Sequence, residues 1–289
     1  MADKNEVERL KKLAYEVRVR LVHLCGTYDG AVHIGGDLSS ADMMTCLIHH
    51  GLNISPEKIN DPERDRFVLS KGHGAVLMYI TMALKGFWDY NDVVATYGQV
   101  DSAYGMHPCR VHLPALECSS GSLGQGLAMC TGMAISAKNK GMKHRVVCML
   151  GDGETAEGSV WEAALAASSY KLGNMVAVVD RNKQFMTTYS EELICMEPYA
   201  DKWAAFGWNV VEVDGHDIEQ IVDALDALPP ADCGKPTVII GHTLKGKGVS
   251  FMEHNIGWHA GKLGPEDRER AMQSLKEEYP EMAEVEVSL

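Results

Sequence analysis

The sequence has no run of about 18 consecutive apolar residues, so no segment is long enough to cross a bilayer as a helix. It opens MADKNEVERLKK, charged from the first residues with no apolar stretch behind them, and neither an export leader nor an anchor is expected there. A cytoplasmic location follows as the expectation. Basic residues are in deficit: 27 Lys and Arg against 40 Asp and Glu give a formal charge of −13. Nucleic acid and anionic membrane both require clustered cations, so neither is an expected partner. The eight cysteines form no CxxC and no Cys/His pair at metal-ligand spacing, which excludes a zinc site built on such motifs. They are expected as free thiols, and one such as Cys148 in VVCML acts as a small hydrophobe. Internal repeats, low-complexity tracts and linkers are also missing.

What is present suits a large core: 289 residues, 46% of them apolar. Val7, Leu10, Leu13, Val17, Leu21 and Leu24 recur every three or four residues and predict an amphipathic helix from Glu6 to about Cys25. A second helix is expected to start at Ser39/Ser40 as caps and end near Gly51, and a third to run from Ala75 to Lys85. From 91 to 123 the pattern dissolves into Gly, Pro, His and Ser, a length unusual for an idle loop. Beyond residue 123, helical segments alternate with the apolar runs RVVCML, MVAVVD, WNVVEV and TVII. That alternation predicts a mainly parallel sheet with crossover helices, an α/β fold of three layers, α/β/α. Residues 1–289 read as a single domain with a helical tail from about 265. Ligands of such sheets bind at the carboxyl ends of the strands.

One strand end reads Gly151-Asp152-Gly153-Glu154-Thr155-Ala156-Glu157-Gly158. Its glycines let the backbone approach a ligand, and a following helix N-terminus favours phosphate. GxGxxA after a strand, with Asp180 closing the next strand, also fits a dinucleotide site. Against that, the Asp152 carboxylate inside the turn repels a pyrophosphate unless a cation lies between them. The next strand ends Asp180-Arg181-Asn182-Lys183-Gln184, placing the Asn182 amide 30 positions after Asp152. Mg²⁺ takes about six hard oxygens and commonly uses one or two protein side chains with phosphate and water. Asp152, Asn182, the Gln184 carbonyl, two diphosphate oxygens and a water make such a set.

SKGHGA at 70–75, GSLGQG at 121–126, GDGETAEG, DRNK and WHAGK at 258–262 follow one another in the order seen in transketolases. The chain resembles the N-terminal, diphosphate-binding half of that family, of the kind encoded as two polypeptides, and the match runs through nearly its whole length. The resemblance implies the thiamine-diphosphate-binding fold, with thiamine diphosphate and Mg²⁺ as cofactors, Ca²⁺ or Mn²⁺ being able to replace Mg²⁺. By position, His73 and His259 would touch the diphosphate, while His33 and His107 would bind sugar hydroxyls and move protons. Each of the four sits in a Gly-flanked loop. Gly121, Ser122 and Leu123 would run along the cofactor rings, with Ser122 replacing the usual Pro, and Met186 would wedge the thiazolium. Gly151, Asp152, Gly153 and Glu154 would surround the diphosphate, with Asp152, Asn182 and Gln184 on the metal. Met186-Thr187-Thr188 departs from the Ile-Asp-Gly common in two-polypeptide transketolases. Glu157 matches a carboxylate at the subunit boundary. Lys245 and Lys247 are open between phosphate contact and solvation of a loop.

The resemblance also implies what the chain lacks. The glutamate that activates the aminopyrimidine, the aromatic stack on that ring and most of the sugar-phosphate grip belong to the other half. An α2β2 heterotetramer with a C-terminal partner subunit of roughly 300 residues is therefore expected. The reaction implied is transfer of a two-carbon ketol unit from a ketose phosphate to an aldose phosphate, in carbohydrate metabolism of the pentose phosphate type. Donor, acceptor and pathway stay open. The competing readings are a 2-oxo-acid dehydrogenase subunit or deoxyxylulose phosphate synthase, an NAD-dependent oxidoreductase, and a non-catalytic assembly subunit.

Overall fold

A computed structural model of the chain describes residues 2–282 and 284–289. Among them lie five strands, β1 (Arg66–Leu69), β2 (Val146–Gly151), β3 (Met175–Arg181), β4 (Asn209–Asp214) and β5 (Thr237–His242). All pairings are parallel, in the order β1-β2-β3-β5-β4. The helices are α1 (Lys4–Thr27), α2 (Ile34–Cys46), α3 (Ala75–Leu84), α4 (Tyr90–Thr96), α5 (Gly126–Asn139), α6 (Gly158–Ser169), α7 (Ser190–Leu193), α8 (Tyr199–Ala205), α9 (Ile218–Asp226) and α10 (Pro265–Glu278).

Strand side chains alternate between faces, and the alternation sorts the core into two halves. Val147, Met149, Val176, Val178 and Ile239 pack with α1, α2, α3, α9 and α10. Val146, Cys148, Leu150, Ala177, Val179, Val238 and Ile240 pack with α5, α6 and α8. This is the expected α/β/α arrangement. Every residue of β2 and β3 is buried, as strands covered on both faces should be. Strand β4 is less so, because it is the edge of the sheet.

Three details depart from expectation. Strand β1 was not anticipated: four residues, RFVL, are too few to show a period. The stretch from residue 91 begins inside α4 rather than in a loop. Ser39 and Ser40 are not caps; α2 begins at Ile34, and both serines lie buried within it. The reason is backbone contact and polar satisfaction. A Cβ on Gly35 would meet the Trp258 carbonyl oxygen at 2.4 Å, so the glycines admit a close approach there. The two hydroxyls donate to the Gly36 carbonyl at 3.0 and 2.8 Å, and Ser39 Oγ lies 2.7 Å from Asp180.

A buried ion pair joins α1 to α2. Arg18 Nη1 and Nη2 donate to Asp42 Oδ1 and Oδ2 at 2.7 and 2.6 Å, and His216 Nδ1 lies 3.0 Å from Oδ2. Burial opposes ionisation of Asp42, but the Arg18 charge and the bonds from His216 and Arg18 prevail and hold its carboxyl down at about 2. Because the folded value lies below the unfolded one of ~3.9, its stabilisation is complete above about pH 4 and is lost as pH falls towards 2. Asp42→Ala strands Arg18 as an uncompensated buried charge. The expected loss is ~3–5 kcal/mol at neutral pH, measured by urea unfolding, and the gap between variant and wild type should narrow below about pH 4.

Candidate functional site

The carboxyl ends of β1, β2, β3 and β5 border a cavity of ≈ 560 Å³. Beyond β1, Lys71 and His73 enter it; beyond β2, Gly151 through Glu154; beyond β3, Asn182, Gln184, Phe185 and Met186; beyond β5, Lys245. His33 arrives from the residue preceding α2, and His107, Gly121 and Leu123 from the irregular segment before α5. His259 is brought in by a β-bridge between Val32 and Gly261, closed by N–H···O bonds of 2.9 and 3.0 Å. Of the residues that the resemblance assigns to cofactor, metal or sugar, only Ser122 is absent from the lining, and it is exposed.

The four histidines form one cluster. Ring centroids of His33 lie 5.4, 6.2 and 5.6 Å from those of His73, His107 and His259, and His73 is 5.7 Å from His259. Burial pushes His33, His73 and His259 below the usual histidine value, His259 to about 3, and the charges of Lys71 and Lys245 add to the shift. At neutral pH these three rings are uncharged, each offering one N–H donor and one acceptor nitrogen. Gly36 keeps the space beside them open. A Cβ there would sit 3.6 Å from His73 Nε2 and 3.7 Å from Lys71 Nζ.

Asp152 is buried, and burial raises its pKa despite the opposing Arg181 charge. Its Oδ2 accepts from Arg181 Nη1 at 2.9 Å and from the Lys183 amide at 2.6 Å, whereas Oδ1 has the Gly153 amide at 2.8 Å. Asn182 Oδ1 accepts from the Gln184 amide at 3.1 Å, and Gln184 Oε1 is buried with no hydrogen-bond partner. These are hard oxygens with spare lone pairs, the donor type that suits Mg²⁺ or Ca²⁺. Among the described residues no group of three His, Cys, Asp or Glu side chains can hold a metal alone. A divalent ion here fits as one shared between the protein oxygens and those of a bound phosphate. The Gln184 carbonyl currently accepts from Lys245 Nζ at 3.3 Å, as does that of Phe185.

Three residues carry weight that their sequence context did not assign. Lys245 is buried, its pKa lowered by that burial to about 8, and its Nζ lies 3.0 Å from His259 Nδ1. It belongs to the cavity, while Lys247 turns away to ion-pair with Glu278. Lys71, whose place in SKGHGA was the available signal, lines the cavity and pairs with Asp180 at 2.6 Å. Glu154 lines the cavity, and its carboxylate also braces the frame. Oε1 accepts from the Gly124 amide at 2.8 Å and from Ser70 Oγ, and Oε2 from the Gly151 amide at 3.1 Å. Gly124 has φ +78°, and a Cβ there would strike Glu157 at 2.8 Å, so only glycine fits this bracket.

The backbone after Gly153 does not open a helix. It makes a single 3₁₀ turn over Gly153–Ala156, and α6 starts only at Gly158. The dinucleotide fingerprint needs its glycine turn to lead straight into a helix, so the oxidoreductase reading loses its structural context.

Comparison with known proteins agrees. The family profile "Transketolase, thiamine diphosphate binding domain" matches residues 11–285. The chain is 39% identical over 271 residues to an apulose-4-phosphate transketolase subunit of Actinobacillus succinogenes, covering 94% of this chain and 97% of that protein. It is 36% identical over 249 residues to a 6-deoxy-6-sulfo-D-fructose transketolase subunit of Clostridium sp., covering 86% and 90%. Among solved structures it superposes on the transketolase of Campylobacter jejuni with TM-score 0.82 and 28% identity. That alignment takes in 97% of this chain and 43% of the solved one.

The Glu154 bracket generates a test of the frame. Glu154→Ala leaves two buried amides and a hydroxyl without their acceptor. A loss of roughly 3 kcal/mol is expected, since bonds to a charged acceptor and stranded donors each cost in that range, measured by chemical denaturation.

Proposed function

The chain belongs to the transketolase family as its N-terminal, thiamine diphosphate-binding half, and from that we propose that it is the cofactor-diphosphate subunit of a two-subunit transketolase. It would move a two-carbon ketol unit from a ketose phosphate to an aldose phosphate. The observation that carries this reading is the meeting of His33, His73, His107 and His259 with Asp152, Asn182 and Lys245 in one cavity.

In this reading Asp152, Asn182 and the Gln184 carbonyl hold Mg²⁺, which screens the Asp152 carboxylate from the diphosphate. Lys245 balances further phosphate charge, and uncharged His73 and His259 donate hydrogen bonds to it. Leu123 and Met186 give apolar contact to the cofactor rings. His33 and His107 grip the sugar hydroxyls, where an imidazole can accept one proton and return it. When bound, thiamine diphosphate supplies the electron sink that lets the C2–C3 bond of a ketose break. Residues 1–289 are taken as one diphosphate-binding unit, with Glu157 on its exposed rim facing a second chain.

The need for a second chain is supported by length. The chain spans 43% of the solved transketolase but 97% and 90% of two relatives that are themselves named as subunits. We take the assembly to be two of each chain. The names of those relatives direct the choice of donors to screen: apulose 4-phosphate and 6-deoxy-6-sulfo-D-fructose beside the pentose phosphates.

Calorimetry tests the site directly. Wild type should bind thiamine diphosphate with Mg²⁺ and release it on chelation, and Asp152→Ala should weaken binding by about 100-fold, the upper end for damage to a metal site. Binding of NAD without metal would overturn the reading. So would absence of ketol transfer from every donor screened once the partner subunit, cofactor and Mg²⁺ are supplied.

A further inference from the structure

Arg181 closes β3 and is buried, although it lines no part of the cavity. Its guanidinium stacks on the Tyr199 ring with Cζ 4.4 Å from the centroid. Nη1 donates to Asp152 Oδ2 at 2.9 Å, and Nη2 to Glu197 Oε1 at 2.9 Å and Glu191 Oε1 at 3.2 Å. The two glutamates in turn tie down the segment that carries them. Glu191 accepts from the Met196 amide at 3.2 Å, and Glu197 from the Tyr199 amide at 2.8 Å. That segment includes Ile194, which lines the cavity and is 45% exposed.

One guanidinium thus faces three carboxylates, the buried Asp152 and the part-exposed Glu191 and Glu197. It also occupies a single oxygen of Asp152. Oδ2 has two donors, whereas Oδ1 has one backbone amide and lone pairs to spare.

We propose that Arg181 is a positioning residue for the cation and diphosphate. It fixes Asp152 so that Oδ1 is the oxygen offered to the metal, and it couples that carboxylate to the 190–198 segment on the rim. This rests on the proposed Mg²⁺-diphosphate site and adds a consequence to it. Loading the site stiffens the rim segment, and by reciprocity an ordered segment tightens metal binding. A lysine keeps a charge near Asp152 but cannot span three carboxylates as a planar fork does.

The test measures two quantities on the full chain: the Mg²⁺ concentration that half-saturates thiamine diphosphate binding, and hydrogen exchange of residues 190–198 with and without both ligands. In wild type, exchange in 190–198 should slow on loading. In Arg181→Gln the Mg²⁺ requirement should rise about tenfold or more, the usual cost of losing a group that orients a ligand, and the segment should exchange fast in both states. Arg181→Lys should restore part of the Mg²⁺ affinity but not the protection. The pair Glu191→Gln with Glu197→Gln, which leaves the Asp152 contact in place, should release the segment with a smaller effect on Mg²⁺. Folding is monitored by circular dichroism. Should Arg181→Gln fail to fold, Arg181→Lys and the glutamate pair decide, and wild-type behaviour of both in the two measurements overturns the proposal. A folded Arg181→Gln with wild-type Mg²⁺ dependence also overturns it, while the cofactor site stands. Failure of wild type itself to bind thiamine diphosphate with Mg²⁺ removes the site reading and this inference with it, and is visible before any variant is made.

Discussion

The Lys71 ammonium and the Asp180 carboxylate meet at 2.6 Å behind the cavity wall, with side chains 1% and 0% exposed. Two charges withdrawn this far from water cost more than their attraction returns unless their remaining hydrogen-bonding capacity is filled. Here it is. Lys71 also donates to the Gly36 carbonyl at 2.8 Å and to Ser40 Oγ at 3.1 Å. Asp180 accepts from Ser39 at 2.7 Å, Asn182 Nδ2 at 3.1 Å and Thr243. The pair therefore locks the ends of β1 and β3 to the first turns of α2 and to the residue after β5. His73 lies two residues beyond Lys71, and Asn182 two beyond Asp180. The spacing between the proposed diphosphate-binding histidine and the proposed metal ligand is inherited from this one contact.

A second pair continues the arrangement. Asp180 and Arg181 are consecutive at the end of β3, so their side chains leave on opposite faces of the sheet. Asp180 meets Lys71 and α2 in one helical layer, and Arg181 meets Asp152 and stacks on Tyr199 of α8 in the other. One partner stands at the end of the adjoining strand and the other at the end of the strand beyond it. Lys71 follows β1, and Asp152 follows β2. Charges of alternating sign thus stitch three adjacent strand ends, and the burial that lowers the histidine pKa values is held by polar groups rather than by apolar packing alone.

Much of this was legible in the sequence, and the limits have physical causes. Glycine-flanked loops at strand ends announced themselves because the strands were long and apolar, and the four histidines stood out because each sat among glycines. Their meeting in one cluster needed the Val32–Gly261 bridge, which no spacing encodes. Ser39 and Ser40 looked like caps because a serine pair before an apolar run usually is one. Their partners, Lys71 and Asp180, lie 31 and 141 positions away. The motif points to Glu154 at the cavity, but not to its bracing role, because the donors it satisfies come from three separate segments. Arg181 was invisible for the same reason: an arginine inside DRNK carries no local sign that it will face three carboxylates.

The rim bears on the proposed need for a second chain. Met186, Leu193 and Ile194 are 63%, 61% and 45% exposed, and all lie between β3 and α8. Two of the three line the cavity. Apolar side chains gathered at the mouth of a polar site are the kind of surface that the proposed partner subunit would cover. The cavity offers hydrogen-bonding groups and hard oxygens on its floor, and its apolar lining comes from Leu123, Ala156, Phe185, Met186 and Ile194. Breaking a carbon–carbon bond next to a developing negative charge calls for exclusion of water. In the proposed reading a floor of imidazoles holds the reacting groups, and closing the space above them would fall to the partner subunit docked on Met186, Leu193 and Ile194.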